Sequence, residues 1–297
     1  MKTSGLFTAH EFNIPATYGK ESRIIVFGDV HRDSPNHADK RWKEDLAYWK
    51  QQEDCYFLGM GDYLDSTSTS ERECLGNINK AMHDTFRKDI ELLQEAKVDL
   101  IANEIKFMKD RLIGLVNGNH YYNFLSNKLS GLNSDQLLAQ KLNCKYLGVC
   151  SLIRVTFQFS KNSDRHPIDF FVHHGMGASR LIGGSLNRVA QMFEGVEADI
   201  AIMGHDHKRG AVPTTPRLFL RNHPSSGLEV MQRETWAIRS GSYLTNFRPN
   251  EVNYNVDSCR PPSSLGHVEI RIKFIKKETK VNGKRKADVQ KIIRCLS

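Results

Sequence analysis

The sequence predicts an α/β layered fold. Between residues 23 and 207, five short runs rich in Ile, Val, Leu and Phe each stop at a glycine or a polar cluster. Helix-favouring segments separate the first three runs. Short apolar runs are typical of buried strands, and strands that alternate with helices indicate sheets covered by helices. The runs are RIIVFGD, CYFLGMGD, LIGLVNGNH, DFFVHHG and DIAIMGHDH.

The remaining elements can be placed around these strands. Residues 41–52 are predicted to form a helix between the first two strands, and residues 85–111 a long helix between the next two. Further along the chain, residues 234–244 and 266–275 have the pattern of strands and flank a loop that contains prolines. We expect these two strands to complete a second sheet.

A single domain over residues 1–297 is expected, because no internal repeat divides the chain and 39% apolar residues suffice for a large core. Two polar segments are candidate insertions over an active site. They are residues 66–83, which contain STSTS, and residues 208–233, which contain VPTTP. Ordinary surface loops have the same composition and are the commoner case.

The net charge of +8 lies at one end of the chain. Residues 271–297 carry ten Lys or Arg and two Asp or Glu, so the rest of the chain is formally neutral. A basic terminus can bind nucleic-acid phosphates or acidic surfaces, but a solvated face is the commoner role of such a segment. The overall basicity therefore supports a nucleic-acid partner only weakly.

The composition predicts a cytoplasmic protein with no membrane partner. The first residues lack the apolar stretch of a signal peptide, and no run approaches the roughly 18 apolar residues of a membrane span. The six cysteines form no C-x-x-C pair, which favours reduced core thiols over a disulfide framework.

Metal-ligand residue types follow every one of the five strands. Asp29 and His31 come at positions i and i+2, so in an extended backbone both side chains would point the same way. Each short block is weak evidence alone, but polar groups gather at the carboxyl ends of strands in α/β sheets, and here they recur five times in order. The other blocks supply Asp62 and Asp65; Asn119 and His120; His173 and His174; and His205, Asp206 and His207.

The set GDVH, GDYLD, GNH, HHG and GHDH resembles the signature of the calcineurin-like metallophosphoesterase superfamily over residues 24–207. The segment WAIRSGSYL is similar to the strand that follows the last histidine motif in that family. The resemblance implies a four-layer α/β/β/α sandwich of two mixed sheets, with a dinuclear metal site at the carboxyl ends of the strands.

The resemblance also implies roles for individual residues. One metal ion would be held by Asp29, His31 and His207, and the other by Asn119, His174 and His205, with Asp62 between the two ions. His120 would be the catalytic acid and Asp65 the carboxylate that orients it. Where relatives often have glycine after D-x-H, this chain has Arg32, which could contact the substrate phosphate or form a salt bridge.

The donor chemistry agrees with these implied roles. Carboxylate, amide and imidazole ligands suit two divalent ions, for which manganese is preferred and iron, zinc, nickel and magnesium are alternatives. A hydroxide that bridges two metals can attack phosphorus in line, and an imidazole such as His120 can protonate the leaving group. Neighbouring strand residues face opposite ways, so His173 and His174 cannot both be ligands. The resemblance, which favours the histidine directly before glycine, implies His174. Asp33 and Asp206 are expected to form turns or caps.

Three functions remain open from the sequence. The preferred one is hydrolysis of a phosphodiester, either a nucleotide or a nucleic acid. The alternative is a phosphomonoesterase that acts on a phosphoprotein or a small molecule, and the third is an inactive binding module on the same fold. The motifs do not separate diester from monoester, because both need the same metals and acid, and they leave the oligomeric state open.

Overall fold

Two mixed β-sheets form the centre of the structure, which is a computed structural model. It describes residues 7–68, 71–72, 74–75, 83–125, 129–159, 164–177, 179, 181–223, 227–247, 257, 262, 264–281 and 284–297, without the side chains of 223, 278–281 and 284–288. In chain order the strands are β1 (Phe7–Pro15), β2 (Glu21–Phe27), β3 (Cys55–Gly59), β4 (Leu112–Leu115), β5 (Cys150–Gln158), β6 (Arg165–His173), β7 (Ile200–Met203), β8 (Arg209–Pro213), β9 (Arg217–His223), β10 (Gly227–Arg233), β11 (Trp236–Ser240), β12 (Val268–Val281) and β13 (Lys284–Leu296).

The strand order explains why the polar blocks can meet. Sheet A runs β1-β5-β6-β7-β11-β8, and its neighbours β6, β7 and β11 are parallel. Sheet B runs β13-β12-β2-β3-β4, and its neighbours β2, β3 and β4 are parallel. Within each sheet, the carboxyl ends of the parallel strands therefore lie along one edge.

Helices occupy the positions between strands that the sequence predicts. They are α1 (Asp39–Lys50), α2 (Asp84–Ile105), α3 (Ser134–Lys141) and α4 (Ile182–Gln191), with 3₁₀ helices at Lys106–Arg111 and Met192–Glu194. The predicted helices at 41–52 and 85–111 are confirmed as α1 and as α2 with its 3₁₀ extension. Within the described part of the chain, no helix combines the length and the apolar character that crossing a membrane requires.

The two sheets pack face to face through side chains that are 0–1% exposed, such as Val26 and Leu58 of sheet B and Phe170 and Ile202 of sheet A. Alternation along each strand sends the neighbouring residues to the outer faces. Outside sheet B, a second core joins its strands to α1, α2 and α3. Outside sheet A, a third core joins Phe171 and Ala201 to α4 and the adjoining 3₁₀ helix. The layers are therefore helix, sheet, sheet and helix.

The segment after Asp206 contains more strands than the sequence predicts. The predicted strands at 234–244 and 266–275 are found as β11 in sheet A and β12 in sheet B. The basic segment 271–297 is not a free tail, because β12 and β13 pair along their full lengths as the edge hairpin of sheet B.

The two candidate insertions differ in their structure. Segment 208–233 forms β8 in sheet A and then the β9–β10 hairpin, a separate two-stranded sheet. Of segment 66–83, residues 69, 70, 73 and 76–82 lie outside the described residues. Whether either segment is an insertion over the site stays a prediction.

Candidate metal centre

Each of the five blocks starts within four residues of a strand end. Strands β2, β3 and β4 of sheet B lead into Asp29, Asp62 and Asn119, while β6 and β7 of sheet A lead into His174 and His205. The two sheets thus bring their loops to a shared edge, as hydrogen bonds between the loops show: the backbone N–H of His205 in sheet A donates to the Asp29 carboxylate of sheet B at 3.0 Å.

The backbone at the candidate ligands is left-handed rather than extended. The expectation that Asp29 and His31 share an extended strand end is wrong, because their φ angles are 47° and 45°. Asp62 has φ 50°, and His205 and His207 have 74° and 56°. Among the described non-glycine residues, only Asn143 shares this conformation. Left-handed backbone is tolerated best by Asn, Asp and His, and it persists only where the surroundings enforce it.

The two carboxylates also anchor neighbouring ligand loops through backbone hydrogen bonds. Asp62 Oδ1 accepts the backbone N–H groups of Asn119 at 2.7 Å and of His120 at 2.9 Å. A Cβ atom on Gly118 would lie 2.1 Å from the same oxygen, so only glycine fits at that position. The carboxylate of Asp29 ties down His205 in the corresponding way. Each carboxylate therefore fixes a second ligand loop while it faces the centre.

Two groups of donor atoms result from this arrangement. Asp29, His31 and His207 each offer an atom within 4.8 Å of the others. The second group consists of Asp62, His174 and His205, under the same limit.

Asn119 and Asp62 connect these donors. The Asn119 side-chain oxygen lies 2.8 Å from His174 Nε2 and 2.7 Å from His205 Nδ1, which adds it to the second group. Asp62 Oδ2 lies 3.1 Å from His174 Nε2 and 3.8 Å from His31 Nε2, so it faces both groups. The seven residues that the sequence predicts as ligands thus lie together.

The donor set fits divalent ions. His31 Nε2 is buried and has no hydrogen-bond partner among the described residues, although such atoms are normally paired. It faces a carboxylate oxygen at a distance too long for a hydrogen bond. A cation that accepts both lone pairs would satisfy these atoms, and mixed oxygen and imidazole ligation suits Mn, Fe, Zn and related ions.

Burial and mutual attraction set the protonation of the group. Burial raises the pKa of Asp29 to about 7. Burial also opposes ionisation of Asp62, but the attraction of His174 and His31 outweighs it and holds the pKa of Asp62 well below its ordinary value. Conversely, burial disfavours the charged form of His174, yet Asp62 raises the pKa of His174 to about 9.

The histidines of the fifth block behave differently. Burial and the nearby His174 lower the pKa of His205 to about 4, and burial with His31 holds the pKa of His207 well below its ordinary value. Both rings are therefore neutral at pH 7. Neutral imidazole is the form that binds metal ions.

A third donor group contains the predicted catalytic pair. Asp65 Oδ1 lies 2.8 Å from His120 Nδ1 and 3.3 Å from His31 Nδ1, and these hydrogen bonds lower the pKa of Asp65. The carboxylate thus lies against both rings. Asp65 is itself positioned by Asp33, whose carboxylate accepts its backbone N–H. The three side chains also satisfy the metal-group distance, so a ligand role for His120 is compatible with the geometry.

The neighbouring histidine and the candidate substrate arginine lie apart from these groups. His173 accepts the backbone N–H of Gly175 at 2.8 Å. Arg32 makes a bidentate ion pair with Glu104 at 2.8–3.0 Å and reaches Asp39 at 3.4 Å. Arg32 therefore forms the salt bridge that is one of its two expected roles, and its contact with substrate phosphate stays a prediction.

Two buried residues that support the site carry no motif in the sequence. Asp135, at the start of α3, accepts the backbone N–H of Gly118 at 2.8 Å and is 2% exposed. Arg239, in β11, is 1% exposed, donates to the Gly204 carbonyl at 2.8 Å and lies 3.5 Å from the Asp206 carboxylate. Asp206 also accepts the N–H of Lys208, the turn role that the sequence predicts. Only the N-S-D-Q capping box marks α3 in advance.

The described part of segment 66–83 contacts the loop of His120. Arg72 donates to the carbonyl oxygens of Thr67 and Asn119, both at 2.6 Å. Its guanidinium carbon lies 3.9 Å from the centroid of the Tyr121 ring, a distance typical of a cation–π contact. The segment therefore braces the backbone that carries Asn119 and His120.

Comparisons with known proteins leave the family of the chain undetermined. No protein-family model matches the sequence. No curated protein matches it either. Among solved structures, the chain is similar to a conserved uncharacterized protein, described as a predicted phosphoesterase, from Streptococcus pneumoniae. The identity is 12% and the TM-score 0.29, over 91% of this chain and 99% of that one.

The burial of Asp135 predicts a pH-dependent cost to stability. Burial raises its pKa to about 7 in the folded chain, against 3.8 when exposed. As pH rises through this interval, the unfolded chain releases the proton first, so the free energy of unfolding falls, by up to about 4 kcal/mol. In metal-free protein, Asp135→Asn should therefore match wild type near pH 4 and exceed it near pH 8, as measured by urea unfolding. Asp54→Asn, on an exposed carboxylate, should change stability by less than about 0.5 kcal/mol at either pH, and an equal effect of the two substitutions would contradict the assignment.

Proposed function

We propose that this chain is a metal-dependent phosphoester hydrolase. The observation that carries the proposal is the pair of donor groups joined by Asp62, with five of its ligand positions in strained left-handed backbone. Strain of this kind costs on the order of 1–3 kcal/mol per residue and is characteristic of functional sites. The order of the motifs, which resembles that of the metallophosphoesterase superfamily, supports the same function.

In the proposed site, Asp29, His31 and His207 would hold one divalent ion, and Asn119, His174 and His205 would hold the other, with Asp62 available to both. When bound, the ions supply an activated hydroxide and neutralise charge on the phosphate oxygens. Two divalent cations against two carboxylates leave a positive site, which attracts phosphate.

The protein's own contribution to proton transfer is assigned to His120. Its Nδ1 lies 2.8 Å from Asp65 Oδ1, and its Nε2 would donate a proton to the oxygen of the leaving group. General acid catalysis of this kind accelerates a reaction by about 10²–10⁴, and most strongly for alkoxides that leave poorly. Asp65 acts through His120 as a positioning residue.

The preferred substrate is a phosphodiester of a nucleotide or nucleic acid. A phosphomonoester is the alternative substrate, and an inactive module on the same fold is the third reading. The presence of every ligand type at the proposed positions disfavours the inactive module.

A panel of substrates separates these readings. We expect full-length protein reconstituted with Mn²⁺ to hydrolyse bis-p-nitrophenyl phosphate faster than p-nitrophenyl phosphate, and to lose both activities in excess chelator. Single- and double-stranded nucleic acids complete the panel. Monoester turnover far above diester turnover would overturn the preferred substrate, and no turnover with any of several divalent metals would favour the inactive module.

Replacement of His120 tests its role as the acid. In His120→Asn, turnover of a diester with a poorly leaving alkoxide should fall by about 10²–10⁴, with a smaller fall for nitrophenolate, which leaves without a proton. The metal content, measured by elemental analysis, should stay at the wild-type value. The matched control is His173→Asn, which should leave both quantities near wild type. Loss of metal from His120→Asn would show instead that His120 is a ligand, as the third donor group allows.

A further inference from the structure

Two arginines that the proposed chemistry does not use converge beside the metal centre. Arg209 follows His207 by two residues and begins β8, and Arg41 comes from α1. A Cβ atom on Gly266 would lie 2.8 Å from Arg41 Nη2 and 2.9 Å from Arg209 Nη1, so these two nitrogens lie within about 6 Å of each other. A side chain at position 266 would meet both guanidinium groups, so glycine at this position allows the two groups to approach each other.

The positive charge of this pair is only partly balanced. Arg41 Nε lies 3.0 Å from Asp45 Oδ2, which also accepts the hydroxyl of Tyr243 at 2.7 Å and lies 3.1 Å from His267 Nδ1. Among the described residues, the guanidinium of Arg209 has neither an ion pair nor a hydrogen bond. Within the described part of the chain, Asp45 therefore makes an ion pair with Arg41 but none with Arg209. Like charges this close repel each other, and an anion between them would relieve the repulsion.

Gly266, which lies against both arginines, is connected to Asp29 through Ser242. The hydroxyl of Ser242 donates to the Asp29 carbonyl at 3.0 Å, and the Ser242 carbonyl accepts the backbone N–H of Gly266 at 2.8 Å. On the other side, Gly241 N–H donates to the Lys208 carbonyl at 3.0 Å. Hydrogen-bonded chains lie about 4.8 Å apart, so two such steps place Gly266 roughly 10 Å from Asp29. The side chain of Arg41 is 40% exposed, and Arg209 is half-buried.

From this geometry we propose that Arg41 and Arg209 form a second anion site, which binds a phosphate other than the one that is hydrolysed. Paired guanidinium groups are suited to phosphate because their N–H donors match its oxygens. The inference rests on the proposed function in placing the first phosphate at the metal centre. It narrows the substrate class to compounds with at least two phosphates in a chain, such as an oligonucleotide. The proposed site does not require the basic segment 271–297 to contact the substrate.

Binding measurements test this site without requiring hydrolysis. The probes are 5′-phosphorylated mono-, di- and trithymidine with phosphorothioate linkages, which keep the charge and slow cleavage. They are titrated calorimetrically into full-length, metal-loaded protein. Affinity should rise with the second or third phosphate in wild type. In Arg209→Gln that gain should shrink by about 10- to 100-fold, while the affinity for the one-phosphate probe stays unchanged. Arg209→Lys should keep part of the gain.

The matched control is Arg294→Gln, which removes the same charge from β13 at the edge of sheet B. It should retain the full gain. Equal gains in Arg209→Gln and Arg294→Gln would overturn the site, as would the absence of any gain in wild type. If the gain depends on Arg209 but no phosphoester is hydrolysed, the proposed function fails and the anion site stands.

Discussion

The candidate centre depends on two carboxylates that each do two things. Asp29 and Asp62 face the donor atoms of the site, and they also accept backbone N–H groups from loops that belong to other strands. The hydrogen bond from His205, a left-handed residue, to Asp29 joins the loops of sheet A to those of sheet B, while Asp62 joins two loops of sheet B. If either carboxylate were lost, a donor and the anchor of a second ligand loop would disappear together. Architecture and chemistry are therefore coupled at the same two residues.

The same constraint explains the electrostatics of the centre. Buried carboxylates and imidazoles compete for protons, so Asp62 and His174 form a charged pair while His205 and His207 stay neutral. Burying this group of charged and polar side chains costs free energy unless cations bind to it, because each buried charge needs a partner. Among the described residues, His31 Nε2 has no hydrogen-bond partner, so the protein alone leaves this buried atom unsatisfied. Divalent ions bound to these carboxylates and imidazoles would offset this cost.

The sequence predicts the strands, the helices and the seven candidate ligands because short apolar runs ending in polar blocks depend on local pattern. It does not predict how those blocks are held. The left-handed φ of Asp29 and His31 follows from hydrogen bonds to distant loops, which no local spacing encodes. The sequence does not predict the roles of Asp135 and Arg239, because their partners are backbone atoms far along the chain. Arg32 directly follows the D-x-H motif, but its ion pair with Glu104, 72 positions away, determines its orientation.

The central claim is that two metal ions share Asp62, and electron paramagnetic resonance of the Mn²⁺-reconstituted full-length protein tests it most directly. Ions about 3.5–4 Å apart are magnetically coupled. We predict two Mn²⁺ per chain with the multiline spectrum of a coupled pair, and loss of that coupling in Asp62→Asn. A single Mn²⁺ per chain, or two ions with the six-line spectrum of isolated Mn²⁺, would contradict a shared centre.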